Sequence, residues 1–268
     1  MLDFSNHNYY NWRFGKIYYT KKGKGSPLLL IHDTMPGASG YEWSRVEDQL
    51  AQEHTVYTLD LLGCGRSEKA GITYTNFLFV QIICDFIKNV IKEKTDIIAS
   101  GFSCSFVTTA AAYDKESINK IMFINPVSMI SLAQTTTKKD KLFKFFIELP
   151  IFGTFIYHII VSRETINDFF LDKLYYNPFH VDKDVLDAYY EAAHKGGYYA
   201  KCLYSSQSAK YMNINIRHAV ESIDNSIYIV EGEDEPNGAA IVEAYQKVNP
   251  AIESATIPCS KHFPHIEN

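Results

Sequence analysis

Short apolar runs alternate along much of this chain with longer segments in which apolar residues recur at helical spacing. The helical spacing predicts helices over residues 41–52 and 75–92. Continuous apolar runs without alternation are typical of parallel strands that are buried on both faces. The predicted strands cover 27–32, 55–61, 96–100, 120–125, 226–230 and 253–258. With right-handed crossovers, this order predicts an α/β fold with a doubly wound, mostly parallel sheet.

Two tyrosine-rich segments precede this alternation. Residues 8–14 and 16–21 lie on either side of Gly15. Their composition and spacing predict an antiparallel hairpin at one edge of the sheet.

The region 131–212 breaks the alternation. It contains no convincing run of strands but many aromatic residues, from Phe143 to Tyr199. We interpret it as an inserted helical cap, and assign 1–130 and 213–268 to the α/β core. Most of its rings should pack within the cap itself, and the others should line an apolar substrate cleft.

Composition excludes several classes of function. The chain has 268 residues, 46% hydrophobic residues and a formal net charge of −5, which gives no basic footprint for nucleic acid. Its five cysteines show no C-x-x-C spacing, so the sequence predicts neither a disulfide framework nor a metal site. The first residues lack the pattern of a secretory signal. We therefore expect a cytoplasmic protein.

One apolar stretch, 142–161, is long enough to be tested as a membrane segment. Lys144, Glu148, Pro150 and His158 interrupt it, and ionised groups are costly inside a bilayer. The stretch favours a pair of cap helices and disfavours membrane contact. Only six residues follow His262 (268 minus 262), so apolar surface could stay uncovered there, and a homo-oligomer remains an open alternative.

Three segments carry candidate chemistry. Gly101-Phe102-Ser103-Cys104-Ser105 stands between a predicted strand and a predicted helix, where a sharp turn would expose Ser103 as a nucleophile. The plain alternative for Ser103 is a helix N-cap. A carboxylate cluster at 231–235 and two histidines, His262 and His265, follow in chain order. The Gly63-x-Gly65 and Gly23-x-Gly25 patterns match no nucleotide-binding motif, so we expect no cofactor.

With residues 28–33, 60–67, 101–105, 232–235 and 262–265 taken together, the chain resembles the α/β-hydrolase superfamily, in its serine-nucleophile, esterase-like branch with a helical cap. The resemblance implies that His262 is the general base, with His265 as its rival. The family spacing after Gly232 makes Glu235 the triad acid and Asp234 the alternative. It also implies an oxyanion hole formed by the backbone N–H groups of Thr34 and Cys104, with no metal.

Three residues depart from the family pattern near this site: Asp33, Ser105 and Lys261. Asp33 stands where glycine is usual, and its carboxylate would repel a developing oxyanion. Ser103 argues against the aspartate-nucleophile branches, the haloalkane dehalogenases and epoxide hydrolases. We expect a serine hydrolase whose partner is a small, largely apolar carboxylic ester or related acyl substrate. The alternative is a weak or inactive member that binds a ligand.

Overall fold

Eight strands form one mixed sheet in the computed structural model, which describes residues 7–268. Their order across the sheet is β1-β2-β4-β3-β5-β6-β7-β8. β1 pairs with β2 and β2 with β4 in antiparallel fashion, and all other pairs are parallel. The strands are β1 His7–Trp12, β2 Gly15–Lys22, β3 Ser26–Ile31, β4 His54–Leu59, β5 Thr95–Ser100, β6 Ile118–Ile124, β7 Ile227–Gly232 and β8 Glu253–Ile257. The mostly parallel sheet with a leading antiparallel edge is confirmed.

The parallel strands are apolar because helices or loops cover them. In β3, all residues from Pro27 to Ile31 are buried. In β5, Ile97 and Ala99 are buried as well. The carboxyl ends of β3, β5, β7 and β8 lie at the same edge of the sheet, which is where ligand sites of such sheets form.

Twelve α-helices accompany the sheet among the described residues. They are α1 Glu47–Leu50, α2 Asn76–Phe86, α3 Ser103–Tyr113, α4 Met129–Leu132, α5 Lys138–Glu148, α6 Phe152–Ile160, α7 Arg163–Phe169, α8 Lys183–His194, α9 Lys201–Ser208, α10 Arg217–Ser222, α11 Gly238–Val248 and α12 Pro264–Glu267. The helix predicted over 41–52 is broken: a 3₁₀ turn, Gly40–Trp43, precedes α1. Glu42 and Trp43 turn into the protein interior there, so their packing overrides the helical spacing.

Only helices lie between β6 and β7, as the cap prediction requires. Tyr157, Phe170 and Tyr189 form an apolar cluster there with Phe263, which follows β8. The expectation that most aromatic rings of this region form its own core is wrong, because most of them are exposed. The exposed rings belong to Phe143, Phe145, Phe146, Phe152, Phe155, Phe169, Tyr176, Phe179, Tyr198 and Tyr199.

Candidate active site

The turn between β5 and α3 has its tip at Gly101, two residues before the predicted position. Gly101 has a φ of 52°, in the left-handed region that favours glycine. Phe102 is already in the right-handed helical region, and α3 begins at Ser103. A strand-to-helix elbow presents its nucleophile at such a strained tip. Here the residue at the tip has no side chain.

Ser103 and Cys104 lie on the first turn of α3 and face the interior. Ser103 is fully buried, and its hydroxyl donates a hydrogen bond of 2.6 Å to the main-chain oxygen of His32. The Cys104 thiol is also buried, and this burial raises its pKa well above the usual range. The structure therefore does not bring Ser103 to the imidazole of His262, because a residue two positions past the tip points back towards the sheet.

A signal for the correct frame is present in the sequence. Helix and strand approach each other closely at an elbow, so small residues are needed two positions before and after the tip. Ala99 and Ser103 satisfy this requirement around Gly101. In the frame centred on Gly101, Ser103 takes the place that glycine usually has, and in the frame centred on Ser103, Ser105 takes it. The two frames therefore fit the pattern equally well.

The carboxylate of Asp33 occupies the space that a side chain at Gly101 would need. A Cβ atom on Gly101 would lie 2.2 Å from Asp33 Oδ2. Asp33 Oδ1 accepts hydrogen bonds from the backbone N–H of Phe102 at 2.8 Å and of Thr34 at 2.7 Å. Two N–H groups that converge on one oxygen form the arrangement of an oxyanion hole. Thr34 is one of the two predicted donors, but the other donor is Phe102 rather than Cys104.

The imidazole of His262 lies between two carboxylates. Its Nε2 is 3.3 Å from Asp33 Oδ2, and its Nδ1 is 3.3 Å from Glu235 Oε1. Among the described residues, these are the hydrogen-bond partners of the ring. Asp234, the alternative acid, is exposed. The site is thus a row of three groups, Asp33, His262 and Glu235.

The charges in this row stabilise one another. Burial alone would lower the pKa of His262, but the hydrogen bonds and charges of Asp33 and Glu235 outweigh it and raise that pKa to about 10. Burial would raise the pKa of Asp33, yet the contact with His262 and the N–H groups of Phe102 and Thr34 hold it below its usual value. At neutral pH the site therefore contains an imidazolium and an ionised Asp33.

Glu42, which the sequence analysis did not single out, holds Asp33 from behind. Its Oε2 accepts a hydrogen bond of 3.1 Å from the backbone N–H of Asp33, and its Oε1 accepts one from the Ser100 hydroxyl. The same Oε1 lies 3.4 Å from Nε2 of His265. The rival histidine therefore lies beside Glu42 and outside the row.

Asn125 was also missed, and it fixes the loop that carries His262. Its Nδ2 donates hydrogen bonds of 2.8 Å to the main-chain oxygens of Lys261 and His262, and its Oδ1 accepts one from the N–H of Gly232. Asn125 has a φ of 44°, a conformation that asparagine tolerates better than most residues. An asparagine directly after a central strand was the available signal.

A small cavity lies next to Thr34. This cavity of about 10 Å³ touches Thr34, Met35, Lys69, Tyr157 and Leu203, which is close to the smallest space that holds one water. Residues that lie between β6 and β7 close this space. Among residues 7–268, no group of three or more His, Cys, Asp or Glu side chains is arranged to hold a metal ion.

The comparison with protein families agrees with this fold. The model of the alpha/beta hydrolase family matches residues 28–268. The chain belongs to the α/β-hydrolase family. Other members supply more specific comparisons, each of which concerns a part of the chain or the fold alone.

Two characterised α/β hydrolases match part of the sequence. A 2-hydroxy-6-oxo-6-(2'-aminophenyl)hexa-2,4-dienoic acid hydrolase from Metapseudomonas resinovorans is 28% identical over 114 residues, which are 42% of this chain and 39% of that protein. A soluble epoxide hydrolase from Corynebacterium sp. (strain C12) is 29% identical over 109 residues, 41% of this chain and 37% of that protein. The matches thus span less than two-fifths of either relative.

A solved α/β-hydrolase structure superposes over almost the whole chain. A serine hydrolase involved in carbazole degradation, the CarC enzyme, has a TM-score of 0.78 and covers 98% of this chain and 93% of its own, at 19% sequence identity. At this identity the likeness shows the fold. It does not transfer the nucleophile, whose place at the elbow is taken here by Gly101.

The substitution Gly101→Ser tests whether Asp33 fills the position of an elbow side chain. We expect it to lower the free energy of unfolding by about 1–3 kcal/mol, because the new Cβ meets the carboxylate and the positive φ is strained. In an Asp33→Gly background the same substitution should cost less. Urea unfolding of both single variants and the double variant measures this coupling. Additive effects, within about 0.5 kcal/mol, would contradict the proposed overlap.

The raised pKa of His262 predicts a pH-dependent contribution to stability. The contribution should be complete below about pH 6.5, the ordinary pKa of histidine, and should disappear as the pH rises through about 10. The difference in melting temperature between the wild type and His262→Gln should therefore shrink over this range. Asp33→Asn is the matched variant, because it removes a charge that raises the pKa. A difference that stays constant with pH would show that His262 is not held as an imidazolium.

Proposed function

We propose that this protein is a hydrolase of the α/β fold that opens small epoxides with water, with Asp33 as the nucleophile. One observation carries the proposal: the Asp33 carboxylate lies at the elbow tip, with Oδ1 held by two backbone N–H groups and Oδ2 beside His262 Nε2. A covalent nucleophile of this fold needs these surroundings. The partial similarity to a soluble epoxide hydrolase supports the same reaction class.

In the first step, Asp33 Oδ2 attacks a ring carbon of the epoxide. A carbon–oxygen ester bond forms and one carbon–oxygen bond of the ring breaks. The oxygen that leaves takes the proton from the His262 imidazolium, which a pKa of about 10 keeps charged at neutral pH. An alkyl halide would need no such proton, so the charge state of His262 favours an epoxide.

In the second step, the ester is hydrolysed. Asp33 no longer carries a charge, and the neutral ring of His262 takes a proton from water while Glu235 holds its Nδ1 side. The hydroxide attacks the ester carbonyl, and negative charge develops on Oδ1, towards which Phe102 and Thr34 donate. Collapse breaks the acyl carbon–oxygen bond, and the oxygen that leaves takes the proton of the new Asp33 carboxyl group, so that a diol is released. Asp33 is then a carboxylate again, and His262 is again the imidazolium that formed when it took a proton from water.

Ester hydrolysis by Ser103, which the sequence favours, lacks comparable support. The Ser103 hydroxyl is buried and donates to a main-chain oxygen. Asp33 is poorly suited to esters as well, because attack of a carboxylate on an ester carbonyl would produce a reactive anhydride. The serine pathway therefore remains the alternative that an experiment must separate.

A second candidate function is a family member that does not hydrolyse anything. The side chains of Asp33 and His262 are only 10% and 15% exposed, and the N–H of His262 donates to the main-chain oxygen of Leu174, between β6 and β7. A member of the family without room for a substrate here would use the ion pair to stabilise its structure.

Turnover of small aryl and alkyl epoxides by three variants tests the proposal. We expect Asp33→Asn and His262→Gln to lower kcat by about a thousand-fold or more, because each removes a group that makes or breaks bonds. Ser103→Ala should keep kcat within about tenfold of the wild type. In heavy-oxygen water, the peptide that contains Asp33 should gain heavy oxygen during turnover, as mass spectrometry can measure.

The opposite results are equally clear. Loss of activity in Ser103→Ala but not in Asp33→Asn, with fluorophosphonate labelling of Ser103, would restore the serine esterase. Turnover without heavy oxygen in the Asp33 peptide would exclude the covalent step. A wild-type protein that neither turns over epoxides or nitrophenyl esters nor is labelled would favour the second candidate.

A further inference from the structure

Helices α5 and α6 present an apolar surface to solvent, which we call the α5–α6 ridge. The two helices meet at an angle of 98° across a break of no more than four residues. Six large side chains of the ridge are between 53% and 87% exposed. They are Leu142, Phe145, Ile151, Phe152, Phe155 and Ile159. Several large apolar side chains exposed on two helices in contact are typical of an interaction site.

The orientation of α5 is the reverse of that expected for a surface helix. Lys144 and Ile147 are its buried residues, whereas Phe145 and Phe146 are exposed. Lys144 forms an ion pair with Glu148 on the protein side. An amphipathic helix normally turns its charges to water and its aromatic rings inwards. The aromatic face of α5 is therefore exposed to solvent, whereas such a face is normally buried.

The charge around the ridge is positive. Lys138, Lys139 and Lys141 are exposed at the start of α5, and no salt bridge within residues 7–268 involves them. The two acidic residues of α5 are already engaged, Asp140 with Lys210 and Glu148 with Lys144. α6 contains no Asp, Glu, Lys or Arg.

We propose that the α5–α6 ridge docks into the surface of a membrane that contains anionic lipid. Aromatic and aliphatic side chains beside a lysine cluster are the composition of helices that lie in the membrane interface, and anionic headgroups attract such lysines. A second copy fits less well, because ridge-to-ridge contact would bring the lysine clusters of both copies together. This inference does not depend on the reaction at Asp33.

The geometry favours docking on one leaflet. Within the described residues, no single helix is long and apolar enough to cross a membrane, and α5 with α6 passes that test only as a bent pair. The charges that argue against membrane contact in the sequence, Lys144 and Glu148, pair with each other behind the aromatic face. They would remain outside the bilayer when the bend enters the interface.

Vesicle flotation with the full chain tests the proposal. We expect binding to vesicles of equal parts phosphatidylglycerol and phosphatidylcholine, and much weaker binding to phosphatidylcholine alone. A variant with Phe145→Ser, Phe152→Ser and Phe155→Ser should lose at least tenfold in binding. A control with Tyr113→Ser, Ile130→Ser and Phe179→Ser removes three apolar side chains elsewhere that are even more exposed, and it should bind like the wild type.

The lysines provide an independent measurement. Replacing Lys138, Lys139 and Lys141 by Gln should weaken binding to the anionic vesicles by about a hundred-fold, about fivefold for each lysine, and added salt should have a similar effect. Circular dichroism checks that every variant is folded. Equal binding of the wild type and the ridge variant overturns the proposal. So does a wild type that binds no vesicles, and light scattering then shows whether a second copy covers the ridge instead.

Discussion

The ion pair between Asp33 and His262 is the interaction on which the rest of the site depends. Asp33 is buried and the His262 side chain is only 15% exposed, and a charge withdrawn from water is costly unless an opposite charge and hydrogen bonds compensate it. Glycine at position 101 leaves the space for the carboxylate, and the N–H groups of Phe102 and Thr34 satisfy its second oxygen. The carboxylate of Asp33, where the family pattern has glycine, and the missing side chain at Gly101 are thus complementary.

This pair connects three loops at the carboxyl edge of the sheet. Asp33 follows β3, the elbow follows β5, and His262 follows β8. Glu42 holds the first loop through the N–H of Asp33, and Asn125 holds the last through two main-chain oxygens. Glu42 and Asn125 are themselves buried, so removing either leaves main-chain groups unsatisfied. The loops of the site are therefore positioned by residues outside the row.

The order of the strands could be predicted from the sequence because each buried strand is a continuous apolar run between turns. The pairing of His262 with Glu235 followed from motif spacing. Motif spacing could not decide which residue lies at the tip of the elbow. The five-residue pattern fits equally well when it is centred on Ser103 and when it is centred two positions earlier, on Gly101. Backbone conformation separates them: only Gly101 has the positive φ of the tip. Asp33 stands out in the sequence as a departure, but which space its carboxylate fills depends on contacts across 69 residues of chain.

The exposed ridge and the misplaced elbow tip were both missed because a sequence pattern does not show where a side chain points. A periodic pattern states which residues share a face of a helix but not whether that face is buried or exposed. In α5 the aromatic residues and the lysines at the start of the helix are displayed together, while Lys144 is compensated inside by Glu148. Burying a charge costs free energy, whereas burying a ring gains it, so a use of the aromatic face outside the protein would account for this arrangement. Fold membership describes neither this face nor the position of the Asp33 carboxylate. Both are decided by individual side chains on a shared scaffold.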